Sequence, residues 1–212
     1  MFFPSTIHES ALTDHDVERP AANESLMPDV VGETLDDFAL GLTFFETKAY
    51  DRAAEALRQV PPDPPARFAW AQEWLGQAYM KLQRDELAIE ALKRAVQLHE
   101  YLKRDSLTIA ECQFSLGLAF ARSGYHEMAL AEFRKALKRA PDWSTIHFEE
   151  ARVHAHRNRS LECLGALRRA IQEDHVFLQK ANRDPDFAQV CQSPQFLRLW
   201  IEQLSESKPR DD

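Results

Sequence analysis

The chain has 212 residues, 44% hydrophobic and 28% charged, which is the size of one domain or of one elongated repeat array with tails. Its formal net charge of −8 is uneven: residues 1–33 hold seven acids against Arg19 alone, while the remainder holds 27 acids and 25 bases. Such a near-neutral body lacks the clustered basic face that nucleic-acid binding needs, and no run approaches the ~18 apolar residues of a membrane span.

Residues 1–33 read as a flexible acidic arm, polar throughout, broken by Pro4, Pro20 and Pro28, and without helical period. The arm begins MFFPSTIHES, which has neither a basic n-region nor a long apolar run, so it is not expected to be a secretory signal. Its Phe2-Phe3 pair is either a disordered tip or a segment that docks into a groove. Thr34 is expected to open the first helix, with Asp36 and Asp37 in the first turn, where the helix dipole favours anions. A second helix is expected from about Asp51 to Val60, stopped by Pro61, Pro62, Pro64 and Pro65. No proline follows until Pro141, so the intervening block can be helical.

One series of residues recurs through that block and around it. It is fullest in the third unit: Leu116-Gly117, Phe120, Gly124, Ala129, Phe133, Ala136 and Pro141. The first unit has Leu40-Gly41, Phe44, Ala53, Leu57 and Val60, with Pro65 in the closing place. The second has Leu75-Gly76, Tyr79, Ala88, Leu92 and Ala95, and the fourth decays to Ala151, Cys163, Leu167 and Ala170. Gly117 and Ala129 are small, so two antiparallel helices can approach closely there, while Leu116, Phe120, Phe133 and Ala136 fall on facing stripes. Gly124 supplies the turn and Pro141 ends the second helix.

Gly41 and Gly76 are 35 residues apart, and Gly117 and Ala151 are 34 apart, but Gly76 and Gly117 are separated by 41. The seven extra residues are about two helical turns and keep nearly the same face inward. They predict a longer second helix through Gln97–Leu102, which offers Tyr101 and Leu102, and a break near Asp105-Ser106, with Ser106 capping the next helix. After His175 the pattern changes. Asp184-Pro185 and Ser193-Pro194 each put a capping residue before a proline, predicting short helices at Pro185–Cys191 and Pro194–Leu204 with Phe187, Phe196, Leu197, Trp200 and Ile201 as their apolar face.

With an aromatic three residues after Leu-Gly, a second-helix Ala and Phe, and a closing Pro, the unit resembles the tetratricopeptide repeat, a helix–turn–helix of about 34 residues. The resemblance spans roughly Thr34 to His175 and points to a bacterial member, since the Asn182–Phe196 run is similar to tails that close bacterial repeat proteins. It implies an all-α, right-handed α-solenoid of about four helix pairs: residues 34–67, 69–102 with an extension to 109, 110–143 and 144–177. Capping helices at 178–204 would cover the last apolar face, and 205–212 would be a frayed tail.

The family lines its concave groove from the first helix of each pair, through repeat positions two, five, nine, twelve and thirteen. Those positions carry over to Leu35, Phe38, Leu42, Phe45 and Glu46 in unit one, and to Trp70, Glu73, Gln77, Met80 and Lys81 in unit two. Unit three contributes Glu111, Phe114, Leu118, Ala121 and Arg122, and unit four Thr145, Phe148, Arg152, Ala155 and His156. This wall is apolar with a few charges, which suits an amphipathic helix or an extended apolar segment of a protein partner, unless a terminal helix or the arm already fills it. Relatives that grip chaperone tails clamp the carboxylate with Lys, Asn and Arg. The matching places here hold Phe38, Leu42, Trp74, Glu111 and Ser115, or, one unit later, Glu73, Gln77, Ser115, Thr145 and Glu149, and neither set chelates a carboxylate.

His147, Glu150 and His154 share one helix face at a workable metal-ligand spacing, but they stand where the family packs its core, and a polar face meeting the charged cap is the plainer account. No phosphate loop, Ser/His/Asp elbow or Cys-x-x-Cys pair is present. Cys112, Cys163 and Cys191 are odd in number and widely spaced, which fits buried thiols in a reducing cytoplasm. The pairs Lys93-Arg94, Arg134-Lys135, Lys138-Arg139 and Arg168-Arg169 belong to the outer faces of second helices. The expected function is a non-enzymatic adaptor or chaperone-like module without cofactor. A type-III-secretion-class chaperone is a narrower version of it. The alternatives are a self-associating scaffold in which arm or cap fills a neighbour's groove, and, last, a metal-dependent enzyme.

Overall fold

The structure, a computed structural model, describes residues 36–206. The acidic arm with Phe2-Phe3, the expected helix opener Thr34, the groove candidate Leu35 and residues 207–212 lie outside the described residues. Among the described residues there is no strand. Four helix pairs run in chain order: α1 (Asp37–Glu46) with α2 (Tyr50–Gln59), α3 (Pro65–Lys81) with α4 (Asp85–Tyr101), α5 (Ser106–Arg122) with α6 (His126–Arg139), and α7 (Ser144–His156) with α8 (Ser160–Glu173). The chain then forms α9 (Val176–Arg183), a 3-10 turn (Pro185–Phe187), α10 (Ala188–Cys191) and α11 (Pro194–Glu206). Each second helix also packs on the first helix of the next pair, and successive first helices touch, so the array is an α-solenoid. No described helix is long and apolar enough to cross a membrane.

The recurring glycines set the distance within a pair. A Cβ added at Gly76 would come 2.5 Å from Leu92 Cγ, one at Gly41 2.6 Å from Leu57 Cγ, and one at Gly117 2.4 Å from Phe133 Cε1. The first helix of units one to three thus lies with bare backbone against the large side chain of its own second helix. The small residues Ala53, Ala88 and Ala129 are wholly buried on the opposing face.

All four pairs turn the same way. The chain leaves the first helix through one left-handed residue, Lys48 (φ 61°), Gln83 (φ 58°), Gly124 (φ 79°) or Asn158 (φ 55°). The next amide returns to a carbonyl five residues back, as Ala49 to Phe44, Arg84 to Tyr79, Tyr125 to Phe120 and Arg159 to His154. Gly124 was legible as the turn. The other three put side chains in a backbone region that costs L-residues about 1–2 kcal/mol.

Several boundaries differ from the expectation. Asp36 is the N-cap of α1, its carboxylate accepting from Ala39 N at 3.0 Å, rather than a first-turn residue. Pro65 opens α3 instead of closing the unit before it. Asp105, not Ser106, caps α5, accepting from Thr108 N at 2.9 Å and from its hydroxyl at 2.6 Å. The long spacing between Gly76 and Gly117 is shared across that junction: α4 has 17 residues against 14 in α6, and α5 has 17 against 13 in α7. Helix α9 carried no sequence signal long enough to predict, having two turns and three buried residues, Phe177, Leu178 and Ala181. Asp184 and Ser193 act as expected, accepting from Asp186 N at 3.0 Å and Phe196 N at 3.2 Å.

The core has two parts. The first runs from α2 to α6 and reaches Ile146 and Val153, and the second joins Phe148, Ala151 and α8 to Phe177, Phe187, Val190 and Phe196. The division falls inside unit four, where the C-terminal helices take over as packing partner.

Candidate peptide-binding face

The candidate side chains stand on α1, α3, α5 and α7, and the structure treats the four units differently. In unit one Phe38, Leu42 and Phe45 are half-buried. Phe45 sits edge-on to Tyr50 at 5.3 Å and to Trp74 at 4.9 Å, and the Arg67 guanidinium lies 5.5 Å from the Phe38 ring. Glu46 is exposed. In unit two Trp70, Gln77 and Met80 are half-buried and Lys81 is exposed, whereas Glu73 is 1% exposed and meets His99 Nε2 at 3.1 Å. In unit three Glu111, Phe114, Leu118 and Ala121 are half-buried, with Phe114 against Trp143 at 5.2 Å and Phe133 at 5.9 Å. Arg122 is drawn to Asp85 at 3.1 Å across the junction of units two and three.

Unit four is closed by the chain itself. Phe148 is 3% exposed and packs on Phe177 of α9 at 4.9 Å and Phe187 of the 3-10 turn at 5.1 Å. Arg152 reaches both Glu149 oxygens at 2.7 and 2.8 Å, Asp184 at 2.7 Å and Asp186 at 3.3 Å. Thr145 and Glu149 are buried as well, Ala155 is half-buried, and His156, half-exposed, lies 3.4 Å from Asp186. Burial pushes the Glu149 carboxyl up to about 7 against the pull of the Arg152 guanidinium. The fourth unit's share of the wall is therefore a socket already holding a helical segment through two aromatic rings and two carboxylates.

A tetratricopeptide repeat family model matches residues 67–142, the second and third units. Solved structures share the architecture. YrrB, described as a TPR protein with an unusual peptide-binding site, aligns at a TM-score of 0.59 and 21% identity, over 70% of this chain and 73% of that one. MamA aligns at 0.62 and 17% identity, over 84% and 100%. The Rap conjugation gene regulator of plasmid pLS20, solved with the Phr* peptide, aligns at 0.55 and 18%, over 87% and 60%. Residues 67–142 are tetratricopeptide repeats. No curated protein matches the sequence. At these identities the solved structures share the fold with the repeat protein described here, and their ligands are their own.

His147 Nδ1 lies 3.5 Å from Glu150 Oε2, and Arg169 of α8 reaches both, at 3.4 and 3.2 Å. His154 is buried, and burial lowers its pKa. These three are not a converging ligand set among the described residues, and the Arg169 guanidinium pairs with His147 and Glu150. The group that does converge among the described residues, Glu73, His99 and Cys112, was missed. Glu73 and Cys112 are 39 positions apart in sequence, and only the lengthened α4 brings His99 to them. Cys112 and Cys163 are buried, and burial pushes Cys163 up to about 12, making it an inert thiol. The basic pairs on α4, α6 and α8 are exposed.

Proposed function

We propose that this protein is a non-enzymatic interaction module that holds an apolar or amphipathic segment of a partner protein along α1, α3 and α5. One observation carries the reading: the equivalent face of α7 already receives an amphipathic segment, α9 and its 3-10 turn, by seating Phe177 and Phe187 on Phe148. Units one and three repeat the aromatic position with Phe38 and Phe114, which remain half-buried, beside half-buried Leu42, Met80 and Leu118. Half-buried apolar side chains repeated along one side of a helix array suit a helix-in-groove contact. The preferred ligand is a two-turn or longer helix with aromatic anchors. Acids near its end would meet Lys81, which is exposed. YrrB and Rap, which share the fold, are peptide binders by their own descriptions, and this supports the reading by analogy.

A display library of amphipathic helical peptides, selected on the full chain, tests this. The expected outcome is enrichment of paired aromatic residues at helical spacing, with binding lost in Leu42→Glu, Met80→Glu and Leu118→Glu and kept in outer-face Arg134→Glu. Enriched peptides that bind all four variants equally would overturn the reading.

A further inference from the structure

Glu73 of α3, His99 of α4 and Cys112 of α5 each place one metal-ligating atom within 4.8 Å of the other two. All three are sealed in the core, at 1%, 0% and 0% exposure. The carboxylate is out of keeping with its place in the repeat. Where unit two has Glu73, units one, three and four have Phe38, Phe114 and Phe148. His99 is equally particular, since it is the first of the three residues by which α4 outlasts α6. The Trp70 ring stands edge-on to the imidazole at 4.9 Å and helps close it off, and Cys112 Sγ lies 3.9 Å from the Leu92 carbonyl oxygen. Glu73 Oε2 and His99 Nε2 are 3.1 Å apart, while His99 Nδ1 is buried with no hydrogen-bond partner.

A carboxylate and an imidazole are costly to bury, and a cation removes most of that cost by taking both as ligands together with the neighbouring sulfur. As a ligand set, one carboxylate, one thiolate and one neutral imidazole carry two negative charges, which match a doubly charged ion. The mixed oxygen, nitrogen and sulfur set suits zinc and excludes magnesium or calcium, which take oxygen. Zinc bonds of about 2.0–2.3 Å put neighbouring ligand atoms about 3.3–3.6 Å apart, so even a pair at the 4.8 Å limit needs a side-chain closure of only about 1 Å.

We propose that Glu73, His99 and Cys112 form a buried site for a zinc-class divalent transition-metal ion that ties unit two to unit three. Because the site lies across α3, α4 and α5, the ion enters as the helices assemble and its binding adds to folding stability.

The test uses the full chain without affinity histidines or chelator, analysed for metal as purified and after refolding from urea with cobalt chloride. The expected result is about one equivalent of a transition metal per chain, with a thiolate-to-cobalt charge-transfer band in the cobalt form. In Cys112→Ser the band disappears and the metal content falls by at least about tenfold. Glu73→Gln, which keeps the shape, retains the band but needs at least about tenfold more cobalt to develop it. Zinc should also raise the thermal midpoint of the wild type and leave that of Cys112→Ser in place, a readout independent of the band. Metal-free protein with no band after refolding overturns the proposal. So does a stoichiometric ion kept equally by Cys112→Ser and Glu73→Gln.

Discussion

Gly117→Ala isolates the contact that sets helix spacing within a repeat. The new methyl would lie 2.4 Å from Phe133 Cε1 and 2.6 Å from Cδ1, about 1 Å inside ordinary contact. Phe133 has no room to withdraw, being 0% exposed with the Phe114 ring at 5.9 Å. Overpacking of this kind costs about 1–3 kcal/mol, against a gain of about 1 kcal/mol for replacing a mid-helix glycine by alanine. The expected net loss is up to about 2 kcal/mol, which leaves Gly117→Ala about 1–3 kcal/mol below an alanine substitution that meets no clash. Gly165→Ala in α8 is the internal control: nothing lies within 4 Å of its added Cβ, so only the gain remains, about 0.5–1 kcal/mol. Phe133→Leu combined with Gly117→Ala should cost less than the two changes added, because the shorter side chain vacates the clash. Urea titration followed by far-UV circular dichroism reads the wild type, the three single variants Gly117→Ala, Gly165→Ala and Phe133→Leu, and the double variant, with midpoints compared because repeat arrays need not unfold in one step. A Gly117→Ala midpoint at or above that of Gly165→Ala would refute the argument that bare backbone fixes the hairpin.

Other expectations concern the turns and the cap. Gln83→Gly relieves a left-handed residue and should stabilise by about 0.5–1 kcal/mol, seen as a raised urea midpoint; Leu82→Gly, one residue earlier and outside that region, should not. Arg152→Ala strands the buried Glu149 and frees Asp184 and Asp186, so it should cost about 3–5 kcal/mol, and hydrogen exchange should show α9 and α10 losing protection before α3 and α4. Glu149 has a folded pKa of about 7 above its ordinary 4.5, so the folded state binds the extra proton and this group's contribution falls as pH rises from about 4.5 to about 7. Glu149→Gln removes that dependence. Its midpoint relative to wild type should therefore rise between pH 5 and pH 8, and a constant or falling difference would contradict the assignment.

The hairpin framework was readable because its signals are local and repeated. Leu116, Phe120, Ala129, Phe133 and Ala136 are all buried, as are Leu75, Tyr79, Ala88, Leu92 and Ala95, since one 3.6-residue stripe serves every unit. Lys48, Gln83 and Asn158 went unrecognised as turn residues because nothing in a lysine or glutamine announces a positive φ that the surrounding hairpin imposes. The candidate wall was legible as positions but not as occupancy. Phe148 and Arg152 look like Phe114 and Leu118 in register, and only the Phe177 and Phe187 rings seated on Phe148 set unit four apart. Glu73 is the same lesson in reverse: a groove position in the pattern, it turns into the core because the lengthened α4 supplies His99.

The central claim, that α1, α3 and α5 receive a partner segment, is most directly tested by photo-crosslinking a selected peptide to the full chain. Photoreactive side chains would be placed singly at Leu42, Met80 and Leu118 on the first helices, and at Arg94, Arg134 and Arg168 on the second. The account predicts crosslinks from the first set, displaced by excess unlabelled peptide, and none from the second. Equal capture by both sets, or capture confined to α4, α6 and α8, would contradict it.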